Sequence, residues 1–203
     1  MDDEPDEMIY QRVLCGDHQA LTLLVERYYP LLLAFGVRIT NDKQIAEDLV
    51  QETFVRLLKY HGEVPDAFRP WVFRIIHNLM RDHFRSAFIQ REMQFDPDEE
   101  RHKKWQVEEE TVENVVFRED LKTKAIFLLQ NLPLPQREVI ILRFYHDLSL
   151  EEIAGVTGVP LGTVKSRLYR GLQMARKVLE REEVKYDQRN QSAASSRFGR
   201  GPA

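Results

Sequence analysis

Two stretches of this 203-residue chain carry residue types that hold nucleic acid, and each suits a different form of it. Between Phe68 and Arg85, the aromatics Phe68, Trp71, Phe73 and Phe84 interleave with Arg69, Arg74, Arg81 and Arg85. Bases stack on aromatic rings and guanidinium planes while arginine holds the backbone, so this mixture fits single-stranded DNA. Helical spacing puts Trp71, Ile75 and Leu79 on one core-facing stripe, which leaves Arg74, Asn78, Arg81 and Arg85 exposed as the contacts. Asp82 stands at the spacing that pairs with a neighbouring arginine on the same helix.

The second stretch fits duplex DNA. Ser149 with Glu152 three residues on forms a capping box, so a short helix starts there, with Ile153 and Ala154 on its buried face. Gly158 suits the left-handed residue that ends it, and Pro160 suits the first turn of the next helix. A short helix, a glycine turn and a longer basic helix make a helix-turn-helix. On that second helix Val164, Leu168, Leu172 and Ala175 share a stripe that packs inward. Lys165, Ser166, Tyr169, Arg170 and Gln173 point away and can reach base edges in a major groove, while Arg167, Arg176 and Lys177 suit phosphates.

A third segment suits a protein partner. Ala46, Leu49, Val50, Phe54, Leu57 and Leu58 define a core stripe, and Glu47, Asp48, Gln51 and Glu52 form an acidic strip on the other side.

Elements must position these groups, and the apolar spacing is helical nearly throughout, with no period-two run that would make a sheet. The chain is expected to be all-α: two small helical domains joined by a flexible acidic linker, the second a helix-turn-helix. The first covers 8–87, with a turn at Thr40-Asn41-Asp42 and a loop between Pro65 and Pro70. A linker follows over 88–117, the second domain over 118–183, and a small, polar tail over 184–203 that is expected to be disordered.

Charge divides along the same lines. The formal net charge of −4 argues against a uniformly basic coat. Yet residues 68–91 hold five basic side chains and one acid, and residues 163–181 hold six and one. Between them, Glu92–Glu113 carries nine acids against three bases. Such an average opposes non-specific attraction to duplex DNA, so the free chain is expected to bind it poorly.

Other classes find little support. The six histidines are scattered and Cys15 is the one cysteine, so no metal site and no cofactor are expected, and the thiol suits a reducing cytoplasm. The acidic opening (Asp2, Asp3, Glu4, Asp6, Glu7) is unlike a secretory signal, and the apolar runs are too short to suggest membrane insertion. No phosphate-cradling loop or nucleophile elbow stands in its proper context, so an enzyme is not expected.

The motifs, taken in order, resemble a known family. Leu132-Pro-Leu-Pro-Gln-Arg-Glu-Val-Ile140, then Phe144-Tyr145, Leu148-Ser-Leu-Glu-Glu-Ile-Ala154 and Gly162-Thr-Val-Lys-Ser-Arg-Leu168, look like the −35-reading domain of bacterial sigma factors. Ala46–Arg56 is similar to the sigma helix that binds the coiled coil of the polymerase's largest subunit. Phe68–Arg85 resembles the segment that captures and melts the −10 element, with Trp71, Arg74, Asn78, Asp82 and Arg85 matching the pattern. The compact layout resembles the extracytoplasmic-function (ECF) group of the sigma-70 family.

The resemblance implies −35 contacts by Thr163, Lys165, Ser166, Arg167, Tyr169 and Arg170, and −10 contacts by Phe68, Arg69, Arg74, Asn78, Arg81 and Arg85. Core polymerase binding falls to Glu47, Asp48, Gln51 and Glu52. Implied partners are RNA polymerase core (the largest-subunit coiled coil and the flap region), promoter DNA and a separate anti-sigma factor. The connector is expected to thread through polymerase toward the RNA exit path, or else to serve as a plain tether. A helix-turn-helix regulator that does not replace a sigma factor is the alternative reading.

Overall fold

A computed structural model describes residues 4–93 and 126–198. The connector lies outside these residues, except for its first two positions at a helix end. Among the described residues the elements are helices: α1 (Asp6–Leu14), α2 (His18–Thr40), α3 (Lys43–Leu58) and α4 (Phe68–Met93), then α5 (Leu134–Phe144), α6 (Leu150–Thr157) and α7 (Leu161–Phe198).

Local chemistry sets the helix ends. The Asp17 carboxylate accepts from the N–H groups of Gln19 (2.9 Å) and Ala20 (3.1 Å) and starts α2. Arg12 also donates to it, and this bond with the Ala20 N–H holds the carboxyl below its ordinary range. Asn41, in the left-handed conformation (φ 57°), ends α2, and Asp42 caps α3 by accepting from the Ile45 N–H at 3.0 Å. The expected turn at 40–42 is therefore present, but a further break at Cys15-Gly16-Asp17 separates α1 from α2.

An aromatic core joins the first four helices. Tyr10, Tyr28, Phe35, Phe68 and Phe73 are fully buried. The Tyr10 hydroxyl donates to the Leu57 carbonyl at 2.8 Å, tying α1 to α3, and burial pushes its pKa up to about 12. Tyr28 donates to the Asp6 carboxylate, which also pairs with Arg27; burial first, then Asp6, raises the Tyr28 pKa. By length and composition α2 could cross a membrane (mean hydropathy 1.4), but Leu24, Tyr28, Leu32, Phe35 and Ile39 on it are committed to this core.

The second unit is smaller and its core mainly aliphatic: Leu132, Val139, Ile140, Ile141, Leu142, Leu148, Ile153, Val156 and Val164 are among its buried side chains. Arg137 donates to the carbonyls of Gln130 (2.8 Å) and Leu132 (3.1 Å), fixing the chain's entry into α5. The capping box is present in both directions, with the Ser149 N–H donating to Glu152 at 2.7 Å and the Glu152 N–H to Ser149 Oγ at 3.1 Å. Gly158 (φ 69°) closes α6.

Several stripes differ from expectation. On α4 the core face is Phe68, Val72, Phe73, Ile76, Leu79 and Met80, with Trp71 and Ile75 only half-buried, so the helix is rotated about one position. Four helices enclose this face, and an isolated i, i+4 count cannot register that. On α3 Leu58 is 49% exposed and Thr53 takes a core place, its hydroxyl donating to the Leu49 carbonyl. On α7 Leu172 is 44% exposed, and Gly171 instead faces α5; a Cβ there would stand 2.8 Å from Ile140 Cδ1. The tail expected to be disordered from 184 is helical to Phe198. Its Lys, Arg, Gln and Ala residues are good helix formers that continue α7 from an existing turn, with no new nucleus to form.

The two units pack against each other. α4 lies along α6, and the C-terminal end of α2 meets α5.

Candidate nucleic-acid interface

Three helices present the polar side chains that the motifs singled out. On α3, Ala46, Leu49 and Val50 face the core, so Asp48, Gln51 and Glu52 are exposed and Glu47 half-exposed. Glu47 pairs with Lys43 (3.4 Å) and Glu52 with Arg56 (3.0 Å) on the same helix. Exposed pairs of this kind are worth under about 1 kcal/mol and yield readily to a partner.

On α4, Arg74, Arg81 and Arg85 are exposed and Asn78 is half-buried. Arg85 holds Asp82 at 3.3 Å, the intrahelical pair expected from spacing. Arg69 is half-buried, and its Nε has no hydrogen-bond partner among the described residues. Phe68 must be corrected. Its ring is fully enclosed, 5.0 Å from Tyr10 and 5.1 Å from Tyr28 between centroids, and its N–H donates to Glu7 at 2.8 Å. It is a core residue that starts α4 and cannot stack on a base. Trp71 shares that cluster, edge-on to Tyr60 at 4.9 Å.

On α7 the burial of Val164 turns Lys165, Ser166, Tyr169 and Arg170 to solvent, with Thr163 and Arg167 half-buried on the flanks. Tyr169 is 66% exposed, a large ring with no packing duty. Ser166 Oγ donates back to the Thr163 carbonyl (3.0 Å). Arg176 pairs with Glu180 at 2.8 Å, which lowers the charge available for a phosphate. Among the described residues no cluster of three or more metal-ligating side chains occurs.

Sequence reasoning missed a group that lies between the units. His146 is 2% exposed, its ring set against Phe73 (4.5 Å) and Phe35 (5.6 Å). Burial, then Arg38 and Arg69, lowers its pKa to about 4. His77 on α4 is also buried, its Nε2 3.4 Å from the Glu138 carboxylate on α5. In sequence these are two scattered histidines, and no local signal marks them.

Comparison with known proteins agrees with this geometry. The family model described as sigma-70 region 2 matches residues 24–87, and that described as sigma-70, region 4 matches residues 124–174. The chain belongs to the sigma-70 family of RNA polymerase sigma factors. Among its relatives, the RNA polymerase sigma-H factor of Pseudomonas aeruginosa is 31% identical over 184 residues, covering 87% of this chain and 95% of that one. The ECF sigma-E factor of Haemophilus influenzae is 30% identical, covering 83% and 92%. The chain is thus a sigma factor of the ECF group, acting in transcription initiation with RNA polymerase core and promoter DNA. Among solved structures it is similar to the sigma factor RpoE of Bartonella quintana, crystallised with the anti-sigma factor NepR, at TM-score 0.60 and 26% identity over 79% of this chain and 96% of that one.

Proposed function

We propose a division of labour among the three exposed faces. The α3 strip of Glu47, Asp48, Gln51 and Glu52 docks on the coiled coil of the largest polymerase subunit, with the second unit reaching the flap region. Arg74, Asn78, Arg81 and Arg85, with Arg69 at the edge, hold the −10 strand as the duplex opens. Thr163, Lys165, Ser166, Arg167, Tyr169 and Arg170 read the −35 element in the major groove. The observation that carries this reading is the partition on each helix: apolar side chains turn inward, and what remains outside has the charge its partner requires.

The acidic connector threads through a basic polymerase channel toward the RNA exit path, since a duplex held on both sides repels it. A separate anti-sigma protein holds the factor in check, by analogy with the Bartonella complex. The chain works in the cytoplasm, where polymerase is, and has no catalytic step of its own. The test is strand opening. With holoenzyme bound to a promoter, Arg74→Ala and Asn78→Ala should lower permanganate reactivity of −10 thymines more than they lower initial binding. Unchanged reactivity removes both residues from the −10 face.

A further inference from the structure

The exposed arginines of α4 can grip a backbone, but the bases of an opened strand also need flat surfaces. Single-strand binders cover such bases with aromatic rings set beside arginine. Four aromatics of α4 are available for this. Phe68 and Phe73 are fully buried. Trp71 is held in the aromatic core, 4.9 Å from Tyr60, 5.5 Å from Tyr10 and 5.8 Å from Phe68 between ring centroids. Only Phe84 is left.

Phe84 stands where α4 leaves the core. Met80 is the last buried side chain of the helix among the described residues, and Phe84, one turn further on, is half-buried. Its one ring neighbour among them is His83, at 5.9 Å. A ring at the rim of a core, on an overhanging turn, keeps a face to offer.

His77 lies on the same edge of α4. It precedes Phe84 by two turns, and Arg81 lies between them, four residues from one and three from the other. The order along this edge is therefore ring, guanidinium, ring, over a rise of about 10 Å. Arg81 is exposed, and no ion pair engages it among the described residues, whereas Arg85 is held by Asp82. Arg74 and Asn78, three residues before and one after His77, border the same edge.

His77 is 5% exposed because α5 covers it, with its Nε2 3.4 Å from the Glu138 carboxylate. Its Nδ1 has no hydrogen-bond partner among the described residues. That cover is absent on a promoter. With the second unit on the −35 element, about 25 base pairs or on the order of 85 Å from the −10 element, Glu138 no longer stands over His77.

We propose that His77 and Phe84 form a stacking platform for two bases of the opened −10 strand, with Arg81 between them on a phosphate. Each ring takes a different base, since about 10 Å of helix separates them. Every base has a flat face, so the platform keeps the strand open without choosing its sequence. It rests on the −10 assignment of α4 and adds two residues that neither charge nor core spacing selects.

The test uses holoenzyme on promoters carrying 2-aminopurine at one −10 position at a time, an analogue whose fluorescence falls when it stacks on a ring. On opening, most positions should brighten and two should stay dim. Phe84→Leu keeps an apolar side chain and removes the ring. It should brighten one dim position and shorten the open-complex lifetime about tenfold, the scale of one lost base stack. Phe84→Tyr should restore both readouts. His77→Leu should act likewise at the second position, with His77→Phe as its rescue, while melting temperature and co-elution with core stay at wild-type values. If both Leu variants match wild type, or shorten the lifetime without brightening any position, the platform is overturned. Arg74→Ala separates this from the underlying assignment. Impaired opening in Arg74→Ala but not in the ring variants sinks the platform alone, and no effect from any of them sinks both.

Discussion

The two units of the molecule are held together by different means. The first buries five whole aromatic rings among four helices, and its hydrogen bonds cross long stretches of chain, such as Tyr10 to Leu57 and Phe68 to Glu7. The second has an aliphatic core and is ordered mainly by contacts a few residues apart: the Ser149–Glu152 box, Gly158, and Arg137 on its own preceding turn. A long-range core protects its interior but hides which of its aromatics are functional. A locally capped unit displays its reading face openly. The polar side chains that this core leaves outside on α4 include arginines and Asn78, and the proposed polar strand contacts are drawn from these.

The largest effect is expected on α3. Converting Glu47, Asp48 and Glu52 to Lys together should abolish co-elution with polymerase core while helicity and melting temperature stay near wild type, because none of the three is buried. Retained co-elution by a folded triple variant would move the docking surface elsewhere.

Next in size is Phe68→Ala. Emptying its place among Tyr10, Tyr28 and Trp71 should cost about 3–5 kcal/mol in denaturant unfolding of the first unit. Arg74→Ala should leave that unfolding curve within about 0.5 kcal/mol. A stable Phe68→Ala protein with impaired DNA opening would return Phe68 to the −10 face.

The junction between units has its own pH signature. Because His146 has a folded pKa of about 4, below the ordinary 6.5, the neutral ring favours the packed form. That contribution is full above pH 6.5 and is lost as pH falls through about 4, on the order of 3 kcal/mol in all. An NMR titration of the His146 imidazole should show a midpoint well below 6.5; a midpoint at the ordinary value would mean the ring is solvated and the units apart.

Smallest are the base contacts of the second unit. Lys165→Ala and Arg170→Ala should each weaken discrimination among −35 sequences by about 1–3 kcal/mol if the side chain touches a base edge. Equal losses on every sequence, measured in competition with variant promoters, would assign them to phosphates.

The same contrast governs how much could be read from the sequence. The second unit was nearly legible: its cap, left-handed glycine and outward residues depend on neighbours within a turn or two. What escaped there was Gly171, since a glycine carries no apolar signal and its value lies in the Ile140 side chain opposite. In the first unit the helical class and the turn at Asn41 were legible, but the rotation of α4 was not. Whether Phe68 or Trp71 faces inward depends on Tyr10 and Tyr28, dozens of residues away. The packing of one unit on the other was not legible at all. His77, Glu138 and His146 match no motif, and their roles come from a meeting of surfaces that no local period encodes.

As a sigma factor, this chain confers promoter choice on polymerase and does not merely adjust a choice already made. Run-off transcription with purified core polymerase, free of any other sigma factor, and promoter fragments from the source organism tests it most directly. Adding the chain should produce discrete transcripts from a subset of promoters, and the α3 triple variant should produce none. No promoter-specific transcript with the chain as sole factor, alongside altered output from promoters driven by another sigma factor, would contradict it.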